Sequence, residues 1–370
     1  MGLALVASLV SVRVALSVAL IEILVGAVAG NLFPLEITPW VDYLAGVGAI
    51  VLTFLAGAEI DHAVIRRHFW ASVSIGLGSF AVPFVGVVLY ARYVSGWMWP
   101  QAQIGALSMS TTSVAVVYAV MLETGFNRTE MGRAILAAVF ITDVVTVFVL
   151  GALFASYNLW LVAFAGATAL TAGVLPRFVP WYFSKVGNRI SEPEIKFVLL
   201  VLFALGWLAN VAKSEAVLPA YLVGMVLAPI FLRDRILAQR MRIIAFTLLT
   251  PFYFLKAGAL IKFDTVAGSL PVIMAFLAAK MVTKFGGVWP FARGFGLQRR
   301  ETAYTTLLMC TGLTFGSICA LFGLNHGIID QDQYTILVTA VIGSAVVPTF
   351  IAQKWFQPMH LLSEEGSDHG

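Results

Sequence analysis

Residues 131–155 read MGRAILAAVFITDVVTVFVLGALFA, an apolar run long enough to cross a bilayer, with Asp143 as the one ionisable side chain across its middle. At about 1.5 Å per helical residue, the flanking residues place that carboxyl near the midplane of a hydrocarbon core about 30 Å thick. Lipid offers the backbone no hydrogen-bond partners, so a run of this kind has to be a helix or part of a closed barrel. A carboxylate at that depth is expensive. It marks a functional group for which a partner is expected nearby.

The rest of the chain repeats the pattern. Apolar spans fall at 13–33, 40–60, 69–91, 102–122, 131–155, 158–180, 195–212, 216–232, 243–261, 267–291, 302–323 and 333–355, which makes twelve. Residues 1–12 are also apolar and leave room for a thirteenth helix or a long lead into the first. With 60% hydrophobic and 11% charged residues, the 370-residue chain is an all-α polytopic membrane protein, and a soluble globular fold is excluded. The first thirty residues carry no small-residue cleavage site and are expected as a retained helix.

Lys and Arg test this division. Arg66, Arg67, Arg128, Arg133, Arg177, Lys185, Arg189, Lys196, Arg233, Arg235, Arg240, Arg242, Arg293, Arg299 and Arg300 lie in or beside the even-numbered connections. The odd-numbered ones hold only Arg92, Lys213 and Lys262. By the positive-inside rule the even connections are cytoplasmic, and with twelve spans both termini are cytoplasmic too. The net charge of +4 is therefore a topology signal, and no nucleic-acid partner is expected. The stretch 176–196, rich in Pro, Lys and Arg, reads as a cytoplasmic linker dividing the spans six and six.

Arg13 and Lys354 lie near span ends, where they can snorkel to the interface. Lys256, Lys280 and Lys284 lie inside spans, the last two four residues apart and so on one helical face. Cys310 and Cys319, nine residues apart in one apolar run, suggest neither a disulfide framework nor a metal site.

Two spans carry polar interruptions. The fourth has Ser108, Ser110, Thr111, Thr112 and Ser113 at its centre, and the eleventh has Thr311, Gly312, Leu313, Thr314, Phe315, Gly316 and Ser317. Hydroxyls compete with helical hydrogen bonds and favour breaks that free backbone carbonyls. Interrupted helices in corresponding positions of two halves point to a transporter's binding site. Small residues that merely let helices pack closely are the plain alternative.

Thr142 and Asp143, with Ser110, Thr111 and Thr112, form an oxygen-rich set suited to a hard monovalent cation, with Asp143 as the ionic ligand. Burial and a neighbouring ammonium act on a carboxyl in opposite senses, and together they can set it where proton and cation compete. Lys280 or Lys284 would neutralise Asp143 when neither ion is bound; depth in the span favours Lys280. No cofactor is expected. An enzyme finds no support: there is no HExxH, no nucleophile with a matching base, and His62, His68, His326, His360 and His369 fall near ends or loops. His62 and His68 flank Arg66 and Arg67, where solvated loop residues or pH sensors are the two readings.

Several strings resemble the monovalent cation/proton antiporter superfamily, in particular bacterial sodium/proton antiporters of the NapA and Kef-like branch. EILVGAVAG at 22–30 and FLAGAEID at 54–61 look like early family motifs, and STTSVAVV at 110–117 looks like the unwound helix. GRAILAAVFITDVV then matches the ion-binding helix, with Asp143 on the essential aspartate. PFYFLKAGALI, and KFGG with Arg293, resemble later elements and put the charge-compensating role on Lys284. The resemblance implies inverted repeats with two crossed discontinuous helices and elevator-type movement within a homodimer. It implies one transporter domain over 1–370, with scaffold helices mainly in 1–60 and 195–261 and core helices mainly in 69–155 and 267–355. It further implies exchange of Na+ (or Li+) for H+ across the inner, cytoplasmic membrane, with K+/H+ exchange as the near alternative. An organic-anion transporter using the three lysines is a more distant one. Thr142 departs from the family pattern, which has a second acid or an amide there. One carboxylate at the site predicts electroneutral exchange.

Overall fold

The computed structural model describes residues 1–14, 17–33, 37–60, 66–67, 69–126, 129–154, 159–187, 189, 191–212 and 216–359. His62, His68, His360 and His369 lie outside the described residues, as do Arg128 and Lys213. Among the described residues the regular structure is helical throughout. Eight helices are long and apolar enough to cross a membrane. The difference from twelve has a local cause. Two of the expected spans are short apolar helices and others are interrupted, so no single helix in them reaches full length.

The chain forms two compact units. The first comprises residues 1–36, 63–146 and 257–370. It contains α1 (Gly2–Val14), α2 (Val18–Leu32), α4 (Phe69–Tyr93), α5 (Trp99–Ser110), α6 (Val114–Thr124) and most of α7 (Glu130–Phe154). Later in the chain it contains α13 (Phe263–Gly268), α14 (Leu270–Gly294), α15 (Arg299–Met309), α16 (Thr314–Asn325) and α17 (Gln331–Ile351). Residues 1–12, expected as a thirteenth helix or a lead, lie in the separate helix α1. Residues 1–36, expected with the scaffold, pack within this unit.

Helices α4 and α14 meet without side chains between them: a Cβ on Gly78 would strike the carbonyl of Gly287, and one on Gly287 would strike that of Gly78. Where lipid supplies no hydrophobic drive between helices, such small-residue contacts let backbones approach and gain dispersion energy. Around them, α4–α7 and α14–α17 carry the same succession about 200 residues apart: a long helix, a broken helix, a long helix. Side chains also take up backbone carbonyls at 257, 260 and 261. Asn31 Nδ2 donates to Ile261 O at 2.6 Å, the Tyr334 hydroxyl to Ala257 O at 2.7 Å, and the Gln331 amide to Leu260 O.

The second unit comprises 37–62 and 147–256. Its elements are α3 (Pro39–Ala58), α8 (Leu159–Val186), α9 (Pro193–Val211), α10 (Val217–Arg233), α11 (Arg235–Ile244), a π turn (Ala245–Leu249) and α12 (Thr250–Ala259), of which the last three residues belong to the first unit. Gly57 on α3 abuts the carbonyl of Tyr221, and Gly224 on α10 abuts that of Phe54, the same reciprocal contact in a different pair of helices. Val51, Phe54, Val198, Leu202, Val223, Leu227 and Met241 fill the core about them.

The expected linker at 176–196 is helical over its first half. Helix α8 runs through Pro176 and Pro180 to Val186, leaving 187–192 as the connection to α9. Proline ends helices readily in water but is tolerated in apolar surroundings, where an open backbone has no solvent to turn to.

Candidate functional site

The site lies in the first unit, where the two expected interruptions fall as real breaks. The first leaves 111–113 extended between α5 and α6; the second spans 310–313 between α15 and α16. They meet directly. Ser113 N donates to Thr311 O at 2.9 Å, and the Thr112 hydroxyl donates to Met309 O at 2.9 Å. Ser108, Ser110, Thr111, Thr112, Ser113 and Thr311 are all buried.

The hydroxyls mostly satisfy the loose ends that the breaks create. Ser110 donates to Ala106 O at 2.6 Å and Thr111 to Ser108 O at 3.1 Å, taking up carbonyls in the last turn of α5. Ser113 Oγ accepts from Val116 N at 3.4 Å, capping the start of α6. Thr311 donates to Leu308 O at 2.7 Å. The freed carbonyls are thus shared with hydroxyls whose oxygens retain lone pairs.

Helix α14 supplies two lysines, both fully buried and one turn apart. Lys284 Nζ donates to Ser79 Oγ on α4 at 2.8 Å and to Thr112 Oγ1 at 2.9 Å. Since Thr112 passes its own proton to Met309 O, a continuous chain runs from α14 through the first break to the end of α15. Lys280 Nζ donates to Ser344 Oγ on α17 at 3.0 Å and lies where a Cβ on Gly312 would stand.

Asp143 is 1% exposed, and among the described residues its Oδ1 has no hydrogen-bond partner. Lys284 is the base whose charge acts on it, yet among the described residues no ion pair joins Asp143 to either lysine. Thr142, the neighbour expected to share the site, turns elsewhere. Its hydroxyl lies 3.0 Å from Ala138 O and 3.3 Å from Gly76 O, so it ties α7 to α4. Successive helical residues point about 100° apart, which is why adjacency in sequence did not bring Thr142 and Asp143 together.

The structure therefore brings Thr112, Lys284 and the two breaks together directly, with Asp143 within electrostatic reach. Ser79 and Ser344 were missed by sequence reasoning. Each is a serine directly after a glycine in an apolar helix, a weak signal that gains weight only where the facing helix carries a lysine. Lys256, left open above, has a partner: its ammonium is ion-paired with Asp42 in the second unit.

A polytopic helical protein with a buried carboxylate beside two meeting helix breaks belongs among the ion-coupled secondary transporters. The comparisons make the class specific. The family described as "Sodium/hydrogen exchanger, transmembrane" matches residues 1–357, and the chain belongs to it. It is 24% identical over 348 residues to a probable Na(+)/H(+) antiporter 3 of Methanocaldococcus jannaschii, covering 90% of this chain and 88% of that one. It is 25% identical over 354 residues to the Na(+)/H(+)-K(+) antiporter GerN of Bacillus cereus, covering 91% and 89%. The solved structure of the sodium proton antiporter MjNhaP1 from Methanocaldococcus jannaschii at pH 8 superposes with a TM-score of 0.73 at 14% identity, over 96% of this chain and 97% of that one. The chain is a multi-pass membrane cation/proton antiporter.

Proposed function

We propose that the protein exchanges Na+ (or Li+) for H+ by competition of the two ions at Asp143. The observation that carries this reading is the pairing pattern. Lys284 is held by the hydroxyls of Ser79 and Thr112, while Asp143 keeps an oxygen without a partner. A carboxylate not locked to the neighbouring base is free to take a proton or a cation, and either one relieves the cost of its buried charge. Ser110, Thr111 and Thr112 offer hydroxyl oxygens to complete the cation's shell.

With one carboxylate exchanging its load and Lys284 held by neutral partners throughout, one proton leaves for each cation bound, and exchange is electroneutral. Alternating access follows from movement of the core helices, mainly in 69–155 and 267–355, against scaffold helices of a homodimer drawn mainly from 37–60 and 195–256, since residues 1–36 pack with the first unit. This movement is elevator-like and rests on twelve or thirteen spans arranged as inverted repeats. The membrane is the cytoplasmic one, with both termini inside for a count of twelve.

Proteoliposomes loaded with a pH-sensitive dye test this directly. Pulses of Na+ or Li+ should collapse an imposed pH gradient in the wild type where K+ does not, and Asp143→Asn should remove the response. An unchanged response in Asp143→Asn would overturn the reading. A flux that follows an imposed membrane potential would overturn electroneutrality alone.

K+ is the rival cargo, supported by relatives whose names include potassium: GerN, and the potassium-efflux protein KefC, 23% identical over 332 residues. The same cation series decides between them. Transport of an organic anion is less well supported, since Lys256 is already engaged by Asp42.

A further inference from the structure

Two hydroxyls hold the Lys284 ammonium, and they are not interchangeable. Thr112 lies in the first break and donates its own proton to Met309 O at 2.9 Å, so it is tied to the broken helices independently of the lysine. Ser79 lies on α4, outside both breaks, and is fully buried with Lys284 Nζ at 2.8 Å from its oxygen. Gly78, the residue before it, touches Gly287 backbone to backbone, and that contact between α4 and α14 sets Ser79 opposite Lys284. Among the described residues Asp143 Oδ1 has no hydrogen-bond partner, and Lys284 is the base whose charge acts on it. The other titratable groups acting on Lys284 are Lys280 on its own helix and the Cys310 thiol at the second break. Residues 72–86 of α4, α5, residues 111–113 and residues 335–351 of α17 carry no ionisable side chain, and α15 carries Arg299, Arg300, Glu301 and Tyr304 only in its first half.

We propose that Ser79 is a positioning residue for the exchange: its hydroxyl holds Lys284 off Asp143, so that the lysine does not compete with the proton and the cation for the carboxylate. The inference rests on the antiport reading above and deepens it. A buried ammonium needs acceptors, and a carboxylate is a stronger one than a hydroxyl. Lys284 carries its charge on a flexible four-carbon stem. Without the Ser79 oxygen one donor of that ammonium loses its acceptor, and the acceptor left open is the unpartnered oxygen of Asp143. The consequence appears in the pH dependence of the Na+ requirement. With two competitors at Asp143, the Na+ concentration for half-maximal flux is flat at alkaline pH and rises once protons occupy the site. A competing lysine acts as a third occupant of constant strength. It raises the alkaline plateau, leaves the acid limb where protons already dominate, and moves the bend between them to lower pH.

The experiment measures Na+-driven proton flux over a pH series in proteoliposomes of the wild type, Ser79→Ala, Lys284→Gln and the double variant. Ser79→Ala should raise KM for Na+ at alkaline pH by about tenfold, the scale of one lost hydrogen bond to a charged group, and move the bend down by about one pH unit. At acid pH its curve should converge on that of the wild type. In the Lys284→Gln background the same substitution should have no further effect on KM. A purely structural role of Ser79 would lower kcat or raise KM alike at every pH, and would persist without Lys284.

A KM curve for Ser79→Ala that coincides with the wild type, is displaced equally at all pH values, or shifts as much in the Lys284→Gln background would overturn the proposal. Should a variant lose flux, Na+-dependent thermal stabilisation in detergent at one alkaline and one acid pH reads the same affinities. Weaker stabilisation by Na+ in Ser79→Ala, confined to alkaline pH and to proteins that keep Lys284, supports the positioning role; any other pattern overturns it. A wild type without cation-dependent flux overturns the antiport reading and this inference with it. Normal flux, abolished by Asp143→Asn but with a wild-type KM curve in Ser79→Ala, overturns this inference alone.

Discussion

The two units treat buried charge in opposite ways. In the second unit, Lys256 is tied to Asp42 in the first turn of α3, and Glu59 at the far end of the same helix is tied to Arg242 at 2.7 Å. Both ends of α3 are thus pinned to the α11–α12 segment, and every charge in that arrangement has an opposite charge in contact with it. In the first unit, Asp143, Lys280 and Lys284 are more deeply buried and none is ion-paired among the described residues; the lysines rest on serine and threonine hydroxyls. Ion pairs fix helices. Charges held only by neutral groups remain available to an ion that comes and goes, and their desolvation cost is the drive for binding it.

The largest consequence of that contrast belongs to Asp143. Asp143→Asn should reduce cation-dependent proton flux to background while leaving thermal stability in detergent near the wild-type value, because no partner loses its contact. A large fall in stability would mean that the carboxylate is structural after all.

Next come the glycine contacts that the units share. Gly287→Ala in the first unit and Gly224→Ala in the second should each destabilise by about 3 kcal/mol, the upper end of the overpacking range, since the new methyl meets backbone that cannot rotate away. Detergent unfolding curves check this, and a cost confined to one unit would show that the two glycine pairs are not equivalent.

The ion pair of Lys256 makes a smaller and directional prediction. Asp42→Asn strands a buried ammonium and should cost about 1–3 kcal/mol. Lys256→Met leaves Asp42, which is 58% exposed, in contact with solvent and should cost less than about 1 kcal/mol. Equal costs would remove the argument from burial. Smallest is Arg242→Met: its pair with Glu59 is half-exposed, so the loss should stay within about 0.2–1 kcal/mol and flux should persist.

Much of this was legible in the residues. The apolar spans, the two polar interruptions, the exceptional position of Asp143 and the depth of three lysines all follow from the cost of placing polar groups in hydrocarbon, which any window of sequence reveals. The continuation of α8 from the sixth span into the expected linker, as far as Val186, was not legible, because proline rules drawn from water do not transfer to an apolar setting. Thr142 was misleading for a different reason. Its place next to Asp143 suggested a shared site, whereas helical geometry turned its hydroxyl to the Gly76 carbonyl.

The sequence by itself determined that this is a helical membrane protein with an acid at mid-depth, two breaks about 200 residues apart and lysines deep in its later spans. Only the tertiary structure decided which groups meet. It gave Lys284 to Ser79 and Thr112, Lys280 to Ser344 and Gly312, and Lys256 to Asp42, and it left an oxygen of Asp143 without a partner among the described residues. The reason is physical: the cost of burying a charge is a property of one residue and its neighbours in sequence. Who compensates that charge depends on which helix faces are pressed together, and that is set by contacts as local as Gly78 on Gly287 between segments far apart in the chain.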